Sequence, residues 1–181
     1  MYESSVRMET TDIESFIEYQ LDGHSVKIRP INTQDLKLET DFINHLSLET
    51  KHYRFFGAIY KVSEKTLKTF CDVDGKSTMA FIATERIDAK EIEIGVCRYV
   101  VTDKPDIYEL ALTIADNWQH KGLGKLLMKR LINYAKRHGV KWLYSVELVD
   151  NTIMQNLSKE LGMQVKNDPD DAHQVIYSLT L

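Results

Sequence analysis

The chain is short of the residues that staple or coordinate. It has two cysteines in 181 residues, Cys71 and Cys97, far apart and in no metal or redox spacing. That excludes a disulfide framework and fits reduced thiols in a reducing compartment. The six histidines form no metal-ligand spacing. Only three prolines are present, with no low-complexity stretch and no internal repeat. No apolar run approaches the ~18 residues a membrane helix needs. The N-terminus lacks the basic-then-apolar pattern of a signal peptide. A formal net charge of -4 speaks against a general nucleic-acid or membrane binder. The expectation is a cytoplasmic protein without metal, nucleic acid or membrane.

What is present is ordinary in bulk and uneven in detail. Apolar residues make up 43% and charged residues 28%, enough for one domain with a core. From Gln119 to Val146 there are seven Lys or Arg and no carboxylate. Residues 1–23 are acidic instead. Their Ile13, Phe16, Ile17 and Leu21 have the spacing of one short amphipathic helix, ended by Gly23. We read 1–23 as an extension and 24–181 as one domain.

Within that domain Ser25 to Ile31 reads as a strand. Asn32 to Asp35 supplies N-cap chemistry for a helix carrying Leu36, Leu38, Phe42, Ile43 and Leu46. Short helices follow from Ser47 to Phe55, broken by Gly57, and from Glu64 to Cys71. Thr78–Arg86, Glu91–Thr102 and Ile107–Ala115 form a meander joined by short turns. A helix from Gly122 to His138 buries Leu123, Leu127, Leu131 and Tyr134, and Gly139 closes it. Trp142–Leu148 is a strand that must run parallel to 107–115 across this helix. Asn151 starts a helix ending at Gly162, and a hairpin of Met163–Lys166 and Ala172–Leu179 closes the chain. Trp118 and Trp142 read as core.

One junction stands out: Gln119-His120-Lys121-Gly122-Leu123-Gly124, after a strand and opening a helix. A helix start offers unpaired N–H groups and a positive dipole end, and glycines let a phosphate come close. A dinucleotide fingerprint requires a third glycine where Leu127 stands. A Walker A loop requires Ser or Thr where Leu126 stands.

The segment resembles the Gln/Arg-x-x-Gly-x-Gly/Ala signature of the GNAT superfamily of N-acetyltransferases. The element order over 25–181 is similar to that family, as is the closing Asn151-x-x-Met154…Leu161-Gly162-Met163. Lys27–Ile31, His52–Phe56, Leu67–Asp72 and Tyr108–Leu112 resemble the acetyltransferase domain of bacterial Pat-type protein-lysine acetyltransferases. The resemblance implies an α/β (α+β) GNAT fold, with a mixed, mostly antiparallel twisted sheet of about six to seven strands flanked by helices.

The resemblance also implies acetyl-CoA as donor and a primary amine as acceptor. The donor would contact the backbone of Leu112, Thr113 and Ile114. It would also meet the loop residues Gln119, His120, Lys121, Gly122, Leu123, Gly124 and Lys125, and Asn151, which equally reads as a helix cap. Tyr53, Arg54, Phe55 and Phe56 lie where the family builds the acceptor cleft, though Phe55 and Phe56 also read as core. An exposed lysine amine has a pKa of about 10.4, so about four in ten thousand are neutral at pH 7 and a base is needed. Glu109 shares a strand face with Ala111 and Thr113, and the Pat-type pattern implies it as that base. The alternative is an ion pair with Arg98 across the hairpin. The family's usual tyrosine acid has Ser158 in its place here. Acceptor choice stays open between a protein lysine and a small amine or polyamine. A non-catalytic acyl-CoA sensor is the reading from another class.

Overall fold

The structure, a computed structural model, describes residues 16–57, 62–104 and 106–181. Eight strands form one sheet: β1 (Ile17–Leu21), β2 (His24–Pro30), β3 (Thr78–Ile87), β4 (Lys90–Val101), β5 (Ile107–Ile114), β6 (Trp142–Leu148), β7 (Gln164–Asn167) and β8 (Gln174–Thr180). Their order is β1-β2-β3-β4-β5-β6-β8-β7. Every neighbouring pair is antiparallel except β5 with β6. Among the described residues, five helices flank it: α1 (Leu36–His45), α2 (Leu48–Phe55), α3 (Glu64–Cys71), α4 (Leu123–Arg137) and α5 (Thr152–Glu160).

The alternation of β3 explains the layering. Met79, Phe81 and Ala83 point into one core with Leu123, Leu127, Leu131 and Tyr134 of α4. Ala80 and Ile82 point the other way, into a core with Phe42 and Ile43 of α1 and Leu67 and Cys71 of α3. Period-two side chains thus cover both sheet faces with helices. Cys71 and Cys97 are free and buried in different cores. Local chemistry sets the helix starts. Ser47 Oγ accepts from Thr50 N, Ser63 Oγ from Thr66 N and Asn151 Oδ1 from Met154 N. Asn32 and Asp35 form a capping box on a 3-10 turn ahead of α1. Phe56, in the left-handed region at φ 53°, terminates α2 one residue before the expected glycine break.

Three expectations need correction. The sheet has eight strands, one more than the upper expectation. The expected N-terminal helix is a strand over 17–21, paired from Ile17↔Ile28 to Leu21↔His24, while Ile13 lies outside the described residues. Its apolar residues also alternate as Ile17, Tyr19 and Leu21, and the open edge of β2 selects that period. Trp142 is 41% exposed rather than core, because it sits at the first position of β6.

The feature that positions the site is a failure of pairing. β5 and β6 match at only three positions, Ile107↔Trp142, Tyr108↔Leu143 and Glu109↔Tyr144. Past Glu109 the strands diverge, and β6 is held on its far side by β8 along its whole length.

Candidate active site

The divergence opens a cleft of about 660 Å³. β5 forms one wall from Glu109 to Ile114, and Val146, Glu147 and Asn151 form the other. Glu49, Thr50, Tyr53 and Arg54 of α2 close one side, and Gln119, His120, Gly122, Gly124 and Lys125 form the end beyond β5.

The backbone of β5 is half free. Ala115 N donates to Ile94 O at 3.0 Å, across the β4 ladder. Antiparallel residues alternate in direction, so Glu109, Ala111 and Thr113 also bond towards β4. Leu110, Leu112 and Ile114 therefore present N–H and C=O to the gap. Of these, Ile114 O accepts from Gln119 Nε2 at 3.3 Å.

The helix start at the end of the cleft lacks the cap that α2, α3 and α5 have. Gly122 occupies the N-cap at φ 84°, and no side chain accepts from the first turn. A Cβ on Gly124 would stand 3.2 Å from Leu112 Cδ2 and 3.5 Å from Leu157 Cδ2, so the bare backbone brings α4 close to β5. Free N–H groups and the dipole end suit a phosphate ester here.

The loop is braced from both sides. Gln119 Nε2 also donates to Thr50 Oγ1 at 3.1 Å. Asp116 accepts from Ser47 N at 2.9 Å and from Thr50 Oγ1 at 2.6 Å, fixing the start of α2 to the same turn. Lys125 pairs with Glu160 of α5 at 2.8 Å. Lys121 pairs with Asp22 at 2.8 Å and lies over the Trp118 ring.

Most of the predicted residues converge: Tyr53, Arg54, Glu109, Leu112, Thr113, Ile114, Gln119, His120, Gly122, Gly124, Lys125 and Asn151 all line the cleft. Phe55, Lys121 and Leu123 do not. Phe55 packs on the second core, Leu123 is fully buried, and Lys121 is turned to Asp22. Glu109 is exposed at the closed end of the cleft. Its alternative partner is taken, since Arg98 donates to Glu39 Oε1 and to Phe70 O. Asn151 is a cap and also donates to Glu147 Oε2 at 3.1 Å. Ser158 is fully buried with an unpartnered Oγ and does not line the cleft.

Sequence reasoning missed Glu147. It is 9% exposed on β6. Burial pushes its carboxyl up to about 7, against the lowering by Ser145, Arg54 and Asn151. The cost of a carboxylate in an apolar strand, which singled out Glu109, applies equally to Glu147. Arg54 lines the same cleft and interacts electrostatically with both. Burial, then Arg98, push its guanidinium down to about 10, against the carboxylates of Glu39, Glu147 and Glu109. It stays charged at neutral pH. Among the described residues, no group of three His, Cys, Asp or Glu side chains could hold a metal ion.

The splayed parallel pair and the uncapped glycine loop lie inside the stretch that a known family matches in sequence. Residues 45–163 match the acetyltransferase (GNAT) family. The chain belongs to that family. This GNAT acetyltransferase is 39% identical over 168 residues to acetyltransferase PA5475 of Pseudomonas aeruginosa, covering 93% of this chain and 90% of that one. Its fold is similar to the GNAT domain of S. lividans PAT, with TM-score 0.81 and 23% identity over 92% of this chain and 97% of that one. It is also similar to yncA of Salmonella typhimurium, solved with its cofactor acetyl-CoA. There the TM-score is 0.69 and the identity 18%, over 86% of this chain and 94% of that one.

Proposed function

We propose that this acetyltransferase moves the acetyl group of acetyl-CoA directly to a primary amine, a protein lysine side chain before others, with Glu109 as general base. The observation that carries the reading is the gap between β5 and β6, with free backbone along one wall, an uncapped helix start at one end and Glu109 at the other. The residues fit this donor. The N–H groups of the first turn of α4 would hold the pyrophosphate, with Lys125 released from Glu160. Leu112 and Ile114 would pair with the amides of the pantetheine arm as an added strand does. The donor supplies an activated thioester, and the chain supplies the geometry around it. Leu112 N–H is the donor for the developing oxyanion. Glu109 takes the proton that the amine must lose before or during attack.

The acceptor would enter beside α2, where Tyr53 and Glu49 line the cleft. The test is labelled acetyl-CoA offered with an acyl-CoA synthetase, a protein extract and a polyamine panel. We expect label on protein lysines. Label on polyamines alone would move the acceptor to the small-amine class. Binding of acetyl-CoA without transfer to any amine would make the chain a sensor.

A further inference from the structure

We propose that Glu147 is a second catalytic residue, the acid that gives its proton to the sulfur leaving the thioester. This rests on the acetyl-transfer reading above. A thiolate expelled into a closed cleft has to be protonated or solvated, and the cleft wall on the α5 side offers few groups to do it. Ser158 is buried away from the cleft, Lys125 is taken by the pyrophosphate in the reading above, and Asn151 is an amide.

Glu147 stands where the acid is needed. Three residues beyond the last pair, Glu109↔Tyr144, β5 has reached Leu112 and β6 has reached Glu147, one on each wall of the cleft. Glu147 thus lines the cleft from the wall opposite Leu112, whose N–H would hold the thioester oxygen. Its orientation is set on both oxygens: Ser145 Oγ lies 2.5 Å from Oε1, and Asn151 Nδ2 lies 3.1 Å from Oε2. The titratable groups around it are Arg54 from α2 and Tyr177 from β8.

The proton balance closes. The amine nitrogen forms the C–N bond and loses a proton to Glu109. The C–S bond breaks and sulfur keeps its electron pair. The Glu147 O–H proton passes to that sulfur, and the carboxylate recovers one from water. A carboxyl of ordinary pKa, about 4.3, would hold that proton in only about two molecules per thousand at pH 7. Burial raises Glu147 to about 7, so roughly half the molecules carry it. Transfer to a thiol of pKa about 8.5 is then downhill.

The experiment measures kcat between about pH 5.5 and 9 for wild type, Glu147→Gln and Glu147→Asp, with acetyl-CoA affinity by calorimetry. For wild type we expect a limb falling above about pH 7. In Glu147→Gln, kcat drops about 10²-fold and that limb disappears, with acetyl-CoA affinity within about twofold. Glu147→Asp recovers part of the rate and the limb. An unchanged profile in Glu147→Gln overturns the proposal and leaves acetyl transfer standing, as does a loss confined to acetyl-CoA affinity. Wild type that binds acetyl-CoA but acetylates no amine overturns both.

Discussion

A carboxyl buried without a donor holds its proton, and Glu93 of β4 is in that position. It is 4% exposed, and among the described residues no donor reaches either of its oxygens. Burial, then the neighbouring Glu39, push it well above the ordinary carboxylate range. Carried as a neutral acid, it can donate to Glu39, whose other oxygen accepts from Arg98. A raised folded pKa adds stability that is full below about pH 4.5 and lost as pH rises through the folded value. Glu93→Gln keeps the neutral form and a donor. We expect its melting temperature to fall less than that of wild type between about pH 5 and 9. Parallel melting curves would show that no linked proton sits there. Glu109 is the opposite case, exposed and at the cleft. Glu109→Gln should lower kcat/KM by about 10²–10⁴-fold without moving the melting temperature. Unchanged turnover would remove it as the base. Gly124→Ala places a methyl 3.2 Å from Leu112 Cδ2, a side-chain end that can shift. The fold should survive and acetyl-CoA affinity should fall about tenfold or more. Affinity within twofold would mean that the donor does not approach this backbone.

At the scale of elements, α2 and the glycine loop act as one piece because Asp116 joins them. Its carboxylate caps the Ser47 backbone and both hydroxyls of the first turn. Although burial works to raise Asp116, these bonds hold it below its ordinary value. Its stabilising contribution is therefore present above about pH 4 and lost as pH falls through the folded pKa. Asp116→Ala should cost about 1–3 kcal/mol. It should also raise the acceptor KM more than the acetyl-CoA KM, since α2 faces the acceptor. Equal changes would count against a separate acceptor wall. This joint was not legible in sequence, because Ser47, Thr50 and Asp116 meet only through the fold. The loop itself was legible, because an uncapped Gly-x-Gly helix start is local chemistry. So were β3, β4 and β5, whose turns carry their own signals. β1 was not, since Phe16, Ile17 and Leu21 satisfy a helical period while Ile17, Tyr19 and Leu21 satisfy a strand period, and only the edge of β2 chose between them. Glu147 was hidden for a similar reason. Strand parity gives its face, but the splay of β6 from β5 is what opens that position to the cleft.

Across the whole molecule, the first strand pair reaches the turn that leads into the glycine loop. The β1–β2 turn carries Asp22, left-handed at φ 52° beside Gly23, and its carboxylate meets Lys121 at 2.8 Å. The bond to Lys121 holds the Asp22 carboxyl below its ordinary value. His24 from the same turn pairs with Glu85, which also accepts from Trp118 Nε1 at 3.1 Å. The N-terminal hairpin therefore grips the turn before the glycine loop through a buried ring and an exposed ion pair. The exposed pair adds little stability. Its effect lies in field: a carboxylate on Lys121 subtracts a positive charge from the place proposed for the pyrophosphate. Asp22→Asn should leave the melting temperature within about a degree and lower the KM for acetyl-CoA about two- to threefold at low salt. Because surface charge is screened within about 10 Å at 0.1 M salt, the gain should shrink as salt rises. A KM that does not move at low salt would assign the pair to surface packing, with Lys121 outside the donor site.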